Sequence, residues 1–289
     1  KTTIITAKDM QIRDVVAIMS FNETSLEENS YRKQINSVFG AVNLGWKSLV
    51  YLDATLRGDQ SSTLPLNNNI YVYPSVSGSL VFSELINRKD ILPYGKLRLS
   101  WAQVGSDTDP YQLGLVYTKS KFSYPGYTIG YINNETIPNK DLKPTRTNSF
   151  EIGFETKFLN NRIGLDFTYY NQISKDQIMG IASSWTTGYP YRLINAGEIQ
   201  NQGIEITLNT RPIQIGDFAW DLNFNFAKNS NKVKKLVDDM DMFELEKATW
   251  LDVQIAAKVG ENFGSIVGPD FVRNENGDIL IDPQTGLPQ

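Results

Sequence analysis

The chain has 289 residues, 28 basic and 32 acidic side chains, a formal net charge of −4, and neither cysteine nor histidine. That composition excludes disulfides, thiolate zinc sites and imidazole acid–base chemistry, and leaves carboxylate-only chemistry such as glycoside hydrolysis. With 40% hydrophobic residues it is no solvated tail, and no clustered cationic footprint invites nucleic acid. No run of 18 apolar residues exists, so no transmembrane helix is encoded, although a membrane β-strand would show only alternating hydrophobicity. Lys1 to Met10 hold no apolar stretch of signal-peptide type, so the chain reads as either not exported or incomplete at its N-terminus.

Residues 3–19 read as a strand or a loop return. From there on, period-two alternation dominates. Val42, Leu44 and Trp46 alternate with Asn43 and Gly45, and Val50, Leu52, Ala54 and Leu56 with Tyr51, Asp53, Thr55 and Arg57. Leu97, Leu99 and Trp101 follow, then Phe150, Ile152 and Phe154, with Glu151, Gly153 and Glu155 between the last three. After Asn160-Asn161 the pattern restarts at Ile163, Leu165 and Phe167, then Ile204, Ile206 and Leu208, then Trp220, Leu222, Phe224 and Phe226. Successive strand side chains point to opposite faces, so each segment has one apolar and one polar side. The predicted strands are 33–44, 48–58, 71–83, 95–104, 147–158, 162–174, 200–211 and 218–230. Residues 233–247 read as a short helix in an outer loop. From Trp250 an apolar strand passes Gly260 and Gly264 and leads to a hairpin turn at Asn274-Glu275-Asn276-Gly277-Asp278.

A soluble antiparallel sandwich also alternates in this way. Connection lengths separate the two readings. Breaks near 45–47, at 159–161 and at 212–217 are short, 84–94 is moderate, and 59–70, 105–146, 175–199 and 231–249 are longer. Outer-membrane barrels place short turns on one side and long loops on the other, and their spanning strands need ~9–11 residues. The fold class is therefore all-β, an antiparallel transmembrane β-barrel chain of roughly ten strands, with Asp53, Arg57, Arg98, Glu151, Glu155, Asp166 and Glu205 toward a lumen. Trp46, Trp101, Trp220 and the Phe residues take the lipid-facing parity.

Several blocks then become recognisable in order: YPSVSGSLVFSEL (73–85), GKLRLSWAQVGSDTDPY (95–111), IPNKDLKPTRTNSFEIGFE (137–155), NNRIGLDFTYYNQISKDQI (160–178), INAGEIQNQGIEITLN (194–209), WDLNFNFAKNSNKVKKL (220–236) and VGENFGSIVGPDFVRNENGDILID (259–282). Together they resemble the SusC/RagA-type TonB-dependent outer-membrane transporters of Bacteroides-like bacteria. The resemblance implies that residues 1–289 are one partial barrel domain from a larger plugged barrel of about 22 strands. It implies that the plug, the TonB-contacting segment and the closing strands lie outside this chain.

What the resemblance further implies is import of oligosaccharides or peptides in the outer membrane, with a SusD-like lipoprotein lid and TonB as partners. Candidate ligand contacts are outer-loop aromatics, whose rings stack on sugar C–H faces and offer a polar edge. Tyr124 and Tyr127 stand out among Tyr111, Tyr117, Tyr124, Tyr127 and Tyr131 of the longest loop. Trp185, Tyr189 and Tyr191 are favoured in loop 175–199, where rings flank Gly188. Packing within the loops or against the lid is the competing role for each. Asp107-Thr108-Asp109 and Asp238-Asp239-Met240-Asp241 offer oxygen ligands without EF-hand spacing and read as solvated loop charge. No metal, cofactor or catalytic residue is assigned. The competing functions are a soluble β-sandwich carbohydrate-binding module, which needs its apolar face covered, and a carboxylate glycosidase, for which no acidic pair stands out.

Overall fold

The computed structural model describes residues 2–10, 17–120, 124–132, 135–237, 240–248 and 252–289. Strands β1 (Thr2–Met10) and β2 (Phe21–Asn29) form an antiparallel hairpin of their own. The main sheet is built from β3 (Ile35–Trp46), β4 (Val50–Ser61), β5 (Ile70–Leu80) and β6 (Tyr94–Ser106). The connection that follows carries β7 (Tyr117–Lys119), β8 (Gly130–Ile132) and β9 (Thr136–Ile137). Then come β10 (Thr145–Phe158), β11 (Ile163–Ala182), β12 (Tyr191–Ile215) and β13 (Phe218–Lys235). Each neighbour in the order β3-β4-β5-β6-β10-β11-β12-β13 pairs antiparallel, and β9 adds to β12 in parallel, giving nine strands among the described residues. A separate three-stranded sheet holds β14 (Met242–Lys247), β15 (Gln254–Lys258) and β16 (Phe263–Val267).

Turn chemistry fixes the short side. Lys47–Leu49 joins β3 to β4, 159–162 joins β10 to β11, and Gly216-Asp217 joins β12 to β13. Lys47, Ser48, Leu159, Asn160, Asn161 and Gly216 all adopt positive φ there, the conformation that tight reversals demand. The opposite side carries 62–69, 107–144 and 183–190; the connection 81–93, with its short 3-10 turn, is the exception on the tight-turn edge, so the three tightest turns and the longest loop fall on opposite edges of the sheet.

Register places the two side-chain sets as the alternation requires. Leu97, Phe154, Phe167, Ile206 and Phe226 pair in one continuous row, and Phe154 and Phe167 stack at 5.3 Å between ring centroids. The adjacent row, on the other face, reads Lys96, Glu155, Asp166, Thr207 and Asn225. Phe224 shares the apolar face with Leu165 and Leu208. This face is bare: Trp46, Leu44, Val42, Trp101, Phe150 and Phe226 are all exposed, and Phe224 is 57% exposed. A sandwich would cover these residues with a second sheet, and among the described residues none lies over them.

The apolar belt drifts along the sheet, and the drift measures strand tilt. The first outward polar residue above the belt is Asn36 on β3 and Lys228 on β13. Followed through the pairs Lys228–Ile204, Ile204–Tyr169, Tyr169–Ile152, Ile152–Leu99, Leu99–Gly78, Gly78–Leu52 and Leu52–Leu44, Lys228 lies level with Leu44. The margin thus slips eight residues, from 36 to 44, over seven strand steps. At ~3.4 Å per residue and ~4.8 Å per strand this is ~27 Å against ~34 Å, a tilt near ~40°. Outer-membrane barrels tilt their strands by about 35–45°.

Four details differ from the sequence reading. The long loop over 175–199 is mostly strand, because β11 and β12 run on past the belt and leave only 183–190 as a tip. Asp176, at φ 56°, stands unpaired opposite Gly197, at φ 81°, which interrupts the ladder there without changing its register. Likewise β12 continues past Pro212 through a register shift between Thr210 and Ile213, where the missing proline N–H costs no ladder bond. The helix over 233–247 is absent from the described part of that stretch: Val233 and Lys235 pair with β12, and Met242–Lys247 pairs with β15. Asp238 and Asp239 lie outside the described residues. The apolar strand after Trp250 (itself outside them) is instead a hairpin, β15–β16, turning at Gly260 with φ 87°. The turn at Asn274–Asp278 forms, with an antiparallel bridge between Arg273 and Ile279 and Gly277 at φ 90°.

No helix among the described residues is long and apolar enough to cross a membrane, which is no obstacle to crossing with strands. Buried packing concentrates at the outer end. Leu64, Tyr71, Leu142 and Leu193 form one cluster, and Val233, Leu236 and Ala257 another. Each joins a strand end to loop residues, so the outer connections rest on cores of their own.

Candidate functional site

The polar face is wired strand to strand. The Arg98 guanidinium on β6 donates to both carboxylate oxygens of Asp166 on β11, at 2.6 and 3.1 Å, reaching across β10 at Gly153. Glu155 lies 3.6 Å from the same guanidinium. Arg57 donates to Asp59 at 2.8 Å, the Tyr73 hydroxyl donates to the same carboxylate, and Asn43 donates to Asp53. A concavity lined by Asp53, Ser77, Lys96, Arg98, Glu151 and Thr168 continues into one lined by Glu151, Thr168, Tyr170, Asn201 and Glu205. The wall is therefore an open, mixed-charge trough in which polar side chains predominate.

Outer loops are tied to this wall by specific bonds. Asp107, just past β6, has a side chain only 9% exposed; Lys33 donates to it at 2.5 Å, Thr63 at 3.2 Å, and Ser61 also donates. Burial pushes the Asp107 carboxyl up, but the bonds from Lys33, Ser61 and Thr63 outweigh it and hold it below the ordinary carboxylate value. This corrects the reading of Asp107 as solvated loop charge: it is a latch across the start of β3, the end of β4 and the long loop. The far end of that loop is held by Asn195, whose amide oxygen accepts from the Lys143 N–H at 2.7 Å. Its amide nitrogen donates to the Lys143 and Asp176 carbonyls at 2.7 and 3.0 Å. A side-chain amide thus completes ladder bonds that the loop leaves open. Among the described residues no group of three or more acidic side chains is placed to hold a metal.

The predicted aromatics fall into two groups. Tyr124 and Tyr127 flank a Pro125-Gly126 turn, with the Tyr127 N–H donating to the Tyr124 carbonyl at 2.8 Å and Gly126 at φ 84°. Their rings lie 6.5 Å apart and are 69% and 72% exposed. Trp185 sits in a short 3-10 turn capped by Ser184, whose Oγ accepts from the Thr186 N–H at 3.3 Å. Gly188 closes that turn as its C-cap in the left-handed region. The Trp185 ring is 78% exposed, Tyr189 is half-buried, and Tyr191 opens β12. The two loops meet through β9: the Tyr191 N–H donates to the Glu135 carbonyl at 3.1 Å, and Tyr191 pairs with Thr136. Tyr111 accepts the Arg32 N–H at 3.2 Å, a loop-holding contact. The latch was illegible in the sequence, because Lys33, Ser61, Thr63 and Asp107 converge only once the sheet is laid out.

A tilted sheet with one bare apolar face, one wetted charged face and long connections on one edge defines a wall segment of an outer-membrane β-barrel. The family model described as TonB dependent receptor-like, beta-barrel matches residues 9–255, and the chain belongs to that family. It is similar to TonB-dependent receptor P3 of Formosa agariphila, at 28% identity over 86% of this chain and 25% of that protein. It is also similar to TonB-dependent receptor SusC of Bacteroides thetaiotaomicron, at 29% identity over 87% of this chain and 27% of that one. The chain thus spans about a quarter of the length of these curated relatives. Among solved structures, the RagAB peptide transporter superposes with a TM-score of 0.73 at 21% identity, over 84% of this chain and 26% of that one. The RagAB peptide importer in its closed-closed state gives 0.75 at 19%, over 94% and 30%. The fold is that of the SusC/RagA-type barrel, and the chain is an outer-membrane protein.

Proposed function

We propose that this chain is part of the wall and outer mouth of an energy-coupled importer for oligosaccharides or peptides, as a partial barrel domain over residues 1–289. The observation that carries the reading is the pairing of a bare lipid-compatible face with an ion-paired lumenal trough beneath loops latched at Asp107 and Asn195. A fixed mouth above a wetted lumen suits solutes that need many weak polar contacts. Trp185, Tyr189 and Tyr191 on one loop and Tyr124 and Tyr127 on the other are proposed to grip the solute, since exposed rings give stacking area at small entropic cost. A SusD-like surface lipoprotein would close the mouth. TonB would act through the plug, on parts other than this wall.

The test is ligand binding and uptake by the complete transporter, with oligosaccharide and peptide panels run side by side. Trp185→Ala and the Tyr124→Ala/Tyr127→Ala pair should each weaken binding by about tenfold, the loss expected from ~1–1.5 kcal/mol of ring contact. Surface abundance of the barrel should stay the same. Unchanged uptake of every solute in all aromatic variants would remove the proposed grip.

A further inference from the structure

Charge on the lipid-facing side of the sheet is confined to its outer end and is almost all of one sign. By register, Arg146, Lys175, Lys228, Lys232 and Lys235 face outward, against a single outward acid, Glu198. Lys175 is bound to Glu198 at 3.1 Å. The other acids within the main-sheet strands, from Asp53 to Asp221, sit on the lumenal parity, Asp176 among them though unpaired in the ladder. Arg146, Lys228 and Lys232 are exposed, and among the described residues no ion pair engages them.

Their height is as specific as their sign. Gln103, Asn148, Asn171, Gln202 and Lys228 form the first polar line above the belt on β6, β10, β11, β12 and β13. Lys232 shares a row with Gln200 and Asn148, and Arg146 stands one outward position above that row. The cations therefore lie where acyl chains end and headgroups begin, on the leaflet that faces the long loops. A lysine stem there runs along apolar surface while its ammonium reaches the headgroup level. Gln200 and Asn171, bonded to each other at 2.7 Å, supply amides beside the charges.

From this arrangement we infer that the outer rim of β10–β13 is a docking surface for the phosphate-bearing headgroup of an outer-leaflet lipid. Continuity with the apolar belt selects a lipid as the occupant: a bound molecule must offer acyl chains to Phe224, Phe226 and Ile204 while presenting negative charge to Lys228, Lys232 and Arg146. The surface rests on the barrel reading only for which side faces lipid, and does not depend on what is imported.

The complete barrel, reconstituted in phosphatidylcholine nanodiscs with or without diphosphorylated lipid A, tests this by native mass spectrometry of the lipid retained. The expected result is enrichment of diphosphorylated lipid A over its dephosphorylated form, without competition from inorganic phosphate. Lys228→Ala/Lys232→Ala should reduce the enrichment on the order of tenfold, as expected for two cations near a charged headgroup layer. Lys228→Arg/Lys232→Arg should keep it, as should Lys96→Ala on the lumenal face. Equal retention of phosphorylated and dephosphorylated lipid by the unaltered barrel overturns the proposal without any variant. So does undiminished enrichment in the double-alanine variant, or displacement by inorganic phosphate.

Discussion

Arg98 and Asp166 meet across three strands, two nitrogens of the guanidinium on two oxygens of the carboxylate, with Gly153 lying beneath the bridge. A β-carbon at Gly153 would stand 3.1 Å from the guanidinium, 3.1 Å from the Thr168 hydroxyl and 3.0 Å from the Phe167 carbonyl oxygen. The glycine is the opening through which β6 and β11 touch.

Because both partners are about one-third exposed to lumen water, the pair itself contributes modestly. Arg98→Ala and Asp166→Ala should each cost about 0.5–1 kcal/mol, with the double variant costing little more than either. Gly153→Val should cost more, about 1–3 kcal/mol, by forcing the bridge apart and crowding the backbone. Urea titration of the refolded barrel in vesicles separates the two effects.

A second glycine carries a ring. The Tyr170 ring lies over Gly203, its hydroxyl donating to Asn229 at 3.0 Å, and a β-carbon at Gly203 would clash with that hydroxyl and with the Lys228 carbonyl. Gly203→Ala should destabilise the barrel by about 1–3 kcal/mol, whereas Tyr170→Phe, which loses only the hydrogen bond, should cost about 0.5–1.5 kcal/mol. The order of the two denaturation midpoints is the check.

The two faces predict opposite responses to charge. Leu208→Arg places a cation mid-belt and should cost about 2–4 kcal/mol, while Asn209→Arg, one residue on, points to water and should fall within about 0.5 kcal/mol of the parent. Folding yield into vesicles, read as the gel-shifted folded form, reports both. Equal penalties would mean that the apolar face does not meet lipid.

The Asp107 latch has a direction in pH. Its carboxyl is held below the ordinary value, so the stability it adds is present above about pH 3.9 and is lost as pH falls through the lower folded-state value. Proteolysis of the 107–144 loop should be unchanged from neutral pH down to about 5 and rise only below the ordinary carboxylate value. Asp107→Ala should give the acid-like cleavage pattern already at neutral pH.

Alternation alone determined that the chain makes two-faced strands, which residues share each face, and which connections are tight. That information is local, because consecutive side chains of an extended chain must point in opposite directions. Where locality fails, so does the reading. The unpaired, positive-φ Asp176 interrupts the ladder and the shift beyond Thr210 breaks the period, neither ending its strand, and the stretch 233–247 carries a helical spacing that the pairing of Val233 and Lys235 with β12 and of Met242–Lys247 with β15 overrides. Only the tertiary structure decided that the apolar face is left bare and that the belt slopes at a barrel's tilt. It alone set Arg98 over Gly153 onto Asp166 and brought Lys33, Ser61 and Thr63 onto Asp107. Those facts depend on register between strands tens of residues apart, and register is fixed by the summed fit of whole faces rather than by any one segment.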